Sequence, residues 1–406
     1  MHRGETTRLP QPHDTPTTEP VRARAPHEAT LTRAATAWPP RHVYVHVPFC
    51  TRRCSYCDFS IAVRARVPVA AFVAGISREM ALRFPSGEWN ADTLYLGGGT
   101  PSKLGGDGVA ALIATLRERI ALSSDAEVTI EANPEDITAD AVRAWRGAGV
   151  NRLSIGAQSF DDSVLAWMHR SHDAARVGEA VRVARGEGIP SFSLDLIFAL
   201  PESLKRDWRR DVELALTLEP SHVSLYGLTI EPATPLQRWR DRGVVAEAVE
   251  ETYAAEYVLA HELATAAGLT HYEVSNFGRA DQRARHNSSY WALVPYAGLG
   301  PSSHEFDGER RRWNVAPYAE WLARVSEGSD PVAGSEHLTA EQRVEEEAYL
   351  GLRTDDGLAL QPGEWALAAP WIAAGWARRA GDRLALTPEG WLRMDAIVLT
   401  IVRSRL

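Results

Sequence analysis

From His42 onward the chain repeats one beat: a short apolar run, a turn, then a stretch with helical periodicity. The apolar runs fall at residues 43–47, 93–96, 128–131, 152–155, 191–198 and 222–229. Between them, Val69, Phe72, Val73, Ile76 and Met80 keep the i, i+3, i+4, i+7, i+11 spacing of one helix face, as do Val109, Leu112, Ile113, Leu116 and Ile120. Strands alternating with helices imply parallel pairing through right-handed crossovers. Six units are too few to close an eight-fold barrel. The beat therefore predicts an α/β fold, an open (βα)6 partial barrel over residues 41–270, with its chemistry at the C-terminal ends of the strands.

The flanks read differently. Residues 1–40 are rich in Pro, Thr and Arg without apolar periodicity, which suits a disordered tail. Residues 271–335 are rich in His, Asn, Tyr, Trp, Gly and Ser, which suits a segment covering the barrel. Residues 336–406 open on a capping box, Thr339 with Gln342. They end as strand, turn and helix, with Thr387 as cap and Pro388 in the first turn, which predicts a small winged-helix-like domain. The best apolar run, 366–377, is broken by Pro370 and Gly375 and is too short to span a bilayer. The N-terminus carries no apolar core of a secretory signal. A net charge of −9 argues against a broad nucleic-acid surface.

Only three cysteines occur in 406 residues, and all are in residues 50–57. A disulfide scaffold needs a dispersed, even set, and packing cysteines would scatter. Cys50-x3-Cys54-x2-Cys57 reads as a ligand loop in a reducing, cytoplasmic compartment. Thiolates are the usual ligands of iron–sulfur clusters, and three of them leave one iron of a [4Fe–4S] cluster open. Phe49, Tyr56 and Phe59 would shield it from water. The rival is a zinc site completed by His46 or His42.

YVHVPFC, LYLGGGTPS, IEANPE, RLSIGAQSF, HRSH, LDLIFALP, HNSSYW and GLGPSSH follow one another along residues 42–400. In these motifs the chain resembles the radical-SAM superfamily, in the branch that holds anaerobic coproporphyrinogen III oxidase, and within it most resembles the HemW-type heme chaperones. The resemblance implies a partial TIM-type barrel and S-adenosylmethionine on the open iron. It places Tyr44 and Tyr56 beside the cofactors, and Gly98, Gly99 and Thr100 against the methionine part. It assigns Glu131 to the ammonium or ribose hydroxyls, and Gln158 and Arg170 to ribose and carboxylate. Arginine's planar fork suits the last of these. Asp195 interrupts the apolar residues Phe192, Leu194, Leu196 and Phe198, so it faces the lumen, where a buried carboxylate needs a partner. Gly227 would let the adenosine approach.

Two departures separate oxidase from chaperone. Phe59 stands where the oxidase pattern has a fourth cysteine, and the low-complexity tail replaces the ordered segment that helps to close the oxidase site. In exchange the chain carries His286-Asn287-Ser288-Ser289-Tyr290-Trp291, like the stretch linked to heme in the chaperones. Neutral imidazole is an ordinary axial ligand of heme iron, which makes His286 the expected heme contact and His304 a second candidate. The implied function is a heme chaperone that passes heme to an acceptor hemoprotein. Its cluster and adenosylmethionine would support dimerisation or transfer, and a homodimer is left open. The alternative is oxygen-independent decarboxylation of coproporphyrinogen III.

Overall fold

The computed structural model describes residues 39–85 and 89–406. The expected disordered tail, apart from Pro39 and Pro40, lies outside the described residues. Strands β1 (His42–Val47), β2 (Trp89–Gly98), β3 (Ile120–Ala132), β4 (Arg152–Gln158), β5 (Ser191–Phe198) and β6 (His222–Gly227) are parallel and lie side by side in chain order. The chain returns between them through α1 (Val69–Arg83), α2 (Gly105–Arg117), α3 (Ala139–Ala148), α4 (Asp162–Trp167), α5 (Ala174–Gly186) and α6 (Trp208–Thr217). This is the open six-unit barrel that the alternation predicts.

Strand periodicity sorts the side chains. Val43, Val45 and Val47 of β1 are buried in the same core as Phe72, Ile76 and Met80 of α1 and Val109, Leu112, Ile113 and Leu116 of α2. Ile120 departs from the expected helix face. The helix α2 stops at Arg117, and Ile120 opens β3 opposite Trp89. One apolar residue at the end of a helical pattern serves a strand start equally well, and only the pairing decides.

Beyond β6 come α7 (Pro235–Asp241) and α8 (Glu250–Ala266), and then residues 271–335 depart from a simple cover. Strands β7 (Thr270–Glu273) and β8 (Asn276–Gly278) add an antiparallel edge beside β6. After α9 (Arg285–Trp291), β9 (Tyr296–Leu299) pairs parallel with β1 at the opposite edge. Then β10 (His304–Phe306), β11 (Arg310–Asn314) and, after α10 (Tyr318–Ser326), β12 (Val332–His337) extend it antiparallel to twelve strands. Such short, polar, glycine-containing strands carry too few alternations to be read locally.

The C-terminal part begins with α11 (Ala340–Arg353), whose Thr339–Gln342 capping box is formed. A three-stranded sheet of β13 (Leu358–Ala359), β14 (Ala377–Ala380) and β15 (Arg383–Leu386) accompanies α12 (Trp365–Ala373), α13 (Pro388–Trp391) and α14 (Met394–Arg405). Thr387 caps α13 through the Gly390 N–H. Leu384, Ile397 and Ile401 join the barrel's own apolar core. Among the described residues no helix is long and apolar enough to cross a membrane.

One carboxylate ties the first helix to the late strands. Glu79 of α1 is fully buried and accepts from the Gly300 N–H (2.8 Å), Trp321 Nε1 (2.9 Å), Asn314 Nδ2 (2.6 Å) and Arg83 (2.9 Å). Arg83 also pairs with Glu305 on β10. Removing one member of such a buried set strands the others without partners, at about 3–5 kcal/mol. Glu79→Ala should therefore lower unfolding free energy by about that amount in urea titration. A loss under about 1 kcal/mol would show that apolar packing alone holds β9–β11 against α1.

Candidate functional site

The C-terminal ends of β2–β6 open into a cavity of about 440 Å³. Its wall includes the three thiols, on a loop that leaves β1 and is pinned at several points. Residues 49–50 and 62–63 form a short parallel pair at its base. The Ser55 N–H donates to the Met168 carbonyl (3.2 Å), and the Leu236 N–H donates to the Ser55 carbonyl (3.0 Å). Cys50 Sγ lies 3.3 Å from Thr100 Oγ1, and Arg170 reaches Cys54 Sγ at 3.7 Å. Burial raises the Cys50 thiol pKa and pushes Cys57 up to about 11.

Beside this loop lies the glycine turn. Gly98 has φ +112°, and a Cβ there would meet the His46 ring at 2.7 Å. A Cβ on Gly99 would meet the Pro48 carbonyl at 2.7 Å and Cys50 Sγ at 3.1 Å. The glycines thus let the β2 turn close on the cysteine loop. Glu131 holds the turn, accepting from the Gly98 N–H (2.9 Å) and the Tyr95 hydroxyl (2.9 Å).

The remaining motifs dock on one another. Arg170 donates to Asn133 Oδ1 (2.7 Å) and the Gly156 carbonyl (2.9 Å), while its Nε is buried without a partner. His172 Nε2 lies 3.2 Å from the Ala157 carbonyl, and Ser171 bonds Glu135. Gln158 adopts a left-handed φ of 67° at an irregularity in the β4–β5 pairing. Just beyond it, Asp211 of α6 accepts from Ser159 Oγ (2.7 Å) and the Phe160 N–H (2.8 Å) and fixes the bend. Asp195 accepts from Ser154 (2.7 Å) and Ser193 (2.9 Å) and lines the cavity. Burial raises the pKa of both Asp195 and Glu131, the latter to about 7, and the neighbouring Asp195 charge adds to the rise at Glu131.

The structure brings Cys50, Cys54, Tyr56, Cys57, Gly98, Gly99, Thr100, Glu131, Gln158, Arg170, Asp195 and Gly227 to this one wall. Several expectations change. Tyr44 lies beneath the glycine turn, off the cavity wall, with its hydroxyl 3.2 Å from His46 Nδ1 and its ring stacked on Tyr95. Gly227 lines the cavity, but the space where a Cβ would stand is taken by the Tyr253 ring at 2.5 Å. Phe49 is packed behind the loop against Phe72 and Tyr318, and Phe59 is 56% exposed at the mouth, so neither encloses the thiols.

His286 departs furthest. It sits on α9 towards the N-terminal end of the lumen, 1% exposed, with Nδ1 2.7 Å from Thr93 Oγ1 and Nε2 2.7 Å from the Tyr290 hydroxyl. Glu127 accepts both the Arg285 and His286 N–H groups (3.0 and 2.9 Å). Burial lowers the His286 pKa to about 3, so the ring is neutral with both nitrogens engaged. The HNSSYW stretch thus plugs the far end of the barrel: Tyr290 packs on Tyr296, and Arg353 covers Trp291. His304 is exposed on β10, stacked with Trp313, away from the cavity.

Sequence reasoning missed Asn133, Ser154, His169 and Tyr226 on the cavity wall. Asn133 and His169 lie inside the motifs already singled out, and strand alternation puts Ser154 on the same face as Gly156 and Gln158. The rival zinc ligands are engaged elsewhere: His46 Nε2 lies 3.1 Å from the Ser60 carbonyl, and His42 Nδ1 lies 3.0 Å from Thr93 Oγ1. Among the described residues no three His, Cys, Asp or Glu side chains gather as one small ion requires. Three thiols spread along a cavity wall suit a larger inorganic cluster. The orphaned Arg170 Nε and two carboxyl groups facing the space suit a ligand with both carboxylate and cationic parts.

An open six-unit barrel with three thiols at its mouth defines a radical-SAM protein, and the pattern of the Radical SAM superfamily matches residues 44–215. Membership implies a [4Fe–4S] cluster and S-adenosylmethionine. The heme chaperone HemW of Mycobacterium tuberculosis is 38% identical over 89% of this chain and 95% of its own length. Those of Bacillus subtilis and Escherichia coli are 33% and 32% identical, over 79% and 89% of this chain and 85% and 97% of their own. The chain belongs to the HemW heme chaperone family. The solved coproporphyrinogen III oxidase HemN of Escherichia coli shares the fold, with TM-score 0.75 and 22% identity over 90% of this chain and 91% of that one.

The Glu131 carboxyl should mark its own titration. The folded protein holds this proton up to about 7, whereas an ordinary glutamate releases it near 4.5. The wild type's stability relative to Glu131→Gln should be greatest below about 4.5 and fall as pH rises to about 7. Allowing for cavity water, the fall is on the order of 2 kcal/mol. Urea unfolding of both proteins across that range measures it, and a flat difference would place the raised group elsewhere.

Proposed function

We propose that this chain is a heme chaperone that works in the cytoplasm: it receives heme and passes it to acceptor hemoproteins. Cys50, Cys54 and Cys57 would hold the [4Fe–4S] cluster. S-adenosylmethionine would lie between the glycine turn, Glu131, Gln158, Arg170 and Asp195. When reduced, the cluster can supply one electron to the adenosylmethionine. The chain's own residues bind and orient: Arg170 is already clamped by Asn133 and Gly156, and Asp195 by two serines. The observation that carries the chaperone over the oxidase is Phe59. At the position of the oxidase's fourth cysteine stands an aromatic ring, 56% exposed at the cavity mouth. The likeness to HemN rests on the fold and carries no activity across. His286, enclosed as it is, we reassign from heme contact to the plug at the other end of the lumen.

Anaerobic reconstitution should give about four iron and four sulfide per chain, lost in Cys50→Ala, Cys54→Ala or Cys57→Ala while the far-UV spectrum persists. Full zinc occupancy with no iron uptake would sink this reading. Asp195→Asn and Arg170→Ala should each weaken adenosylmethionine binding by about 1–3 kcal/mol, as for loss of a charged hydrogen bond. Unchanged affinity in both would move the cofactor elsewhere. Reconstituted protein should bind about one heme per chain. With coproporphyrinogen III, reductant and adenosylmethionine it should yield no decarboxylated product. Robust decarboxylation would replace the chaperone by the oxidase.

A further inference from the structure

The cavity wall carries two unlike kinds of side chain. Glu131, Ser154, Gln158, Arg170 and Asp195 make part of it polar. Exposed rings share the same wall: Phe59 is 56% exposed and Tyr226 47%. Large aromatic faces held open at a cavity mouth mark a site for an apolar ligand surface.

His169 lines this same cavity. It ends α4 in the left-handed region (φ 60°), with its N–H on the Ala166 carbonyl (3.0 Å) and the Arg170 N–H on Leu165 (2.8 Å). The side chains that follow are committed: Arg170 to Asn133 and Gly156, His172 to Ala157. The anchored turn leaves His169 exposed, edge-on to Trp239 at 5.5 Å, with no hydrogen bond from its ring among the described residues. By contrast His286 and His222 have both ring nitrogens engaged. His304, though exposed, lies off this cavity. Arg52, also exposed on the wall, uses one nitrogen on the Arg170 carbonyl.

We propose that the exposed rings of the cavity wall seat the flat face of heme, that His169 supplies the axial nitrogen to its iron, and that Arg52 meets a propionate. The proposal rests on the chaperone reading and adds the place where the cargo lies. A neutral imidazole is an ordinary iron ligand, and one with no partner inside the protein can offer its lone pair. Aromatic rings pack against a planar macrocycle, and a guanidinium pairs with a carboxylate. Heme held there would lie beside the polar groups of the same wall, so cargo and adenosylmethionine would share one chamber.

The full chain, reconstituted with its cluster, is titrated anaerobically with hemin while the Soret band is followed. His169→Asn is the first variant, because asparagine tolerates the left-handed backbone. It should bind hemin at least tenfold more weakly or with a shifted Soret maximum, and added imidazole should restore the band. Its iron content and adenosylmethionine affinity should match the wild type. Phe59→Ser, changing only the wall, should weaken hemin binding without moving the Soret maximum. An unaltered band and affinity in His169→Asn would overturn the proposal and leave the chaperone reading intact. So would a Soret change confined to His304→Ala. Wild-type protein that takes up no hemin would overturn the chaperone reading, and this proposal with it.

Discussion

The lumen of the barrel is polar, and its side chains must satisfy one another. Burying a polar group without a partner costs several kcal/mol in an apolar medium. Here the inward faces of six strands carry, among others, Glu127, Glu131, Arg152, Asp195 and His222. At the N-terminal end most of the demand is met within the protein, although Arg152 Nη2 has no partner. Glu127 caps α9, His286 bridges Thr93 and Tyr290, and His222 bridges Ser193 and Tyr272. At the C-terminal end it is met only in part, where Glu131 and Asp195 keep an edge open to the cavity and Arg170 Nε has no partner. The closed end is structural and the open end is ready for a ligand. That asymmetry is what makes the barrel a binding site.

The same constraint explains why the motifs interlock. The glycine turn closes over the cysteine loop because it lacks Cβ atoms, and Glu131 fastens it from the next strand. Asn133, two residues on, receives Arg170 from the fourth unit, and Asp211 from the fifth holds the bend after Gln158. Each loop at the open end is therefore held by its neighbours. A ligand-binding surface assembled this way loses little further order when filled, which favours affinity. Ser60 extends the network sideways through the Ala316 carbonyl, tying the cysteine loop to the late strands.

Those late strands were the least legible part of the fold. The six barrel strands and their helices announce themselves by period, because each must bury one face over several turns. Strands β9–β12 are short, and β9 finds its partner in β1. No local signal in YAGL or HEF says so; the pairing is sealed by Glu79 and Arg83 on the first helix. In the site, Cys50, Cys54, Cys57, Glu131, Arg170 and Asp195 were readable from motif and alternation. Tyr226 was not, being an ordinary strand tyrosine until the barrel curls. His286 was readable as important but not as to its role.

The sequence by itself determined the parallel α/β rhythm, the three-thiol loop at the first strand's end, the inward carboxylate at Asp195 and the absence of a fourth cysteine. These follow from spacing and residue chemistry, which act over a few residues. Only the tertiary structure decided which way each histidine faces. Two imidazoles of identical chemistry part ways because α9 folds into the lumen and encloses His286, while the turn after α4 leaves His169 at the mouth. Burial and the partners it imposes belong to the packed chain.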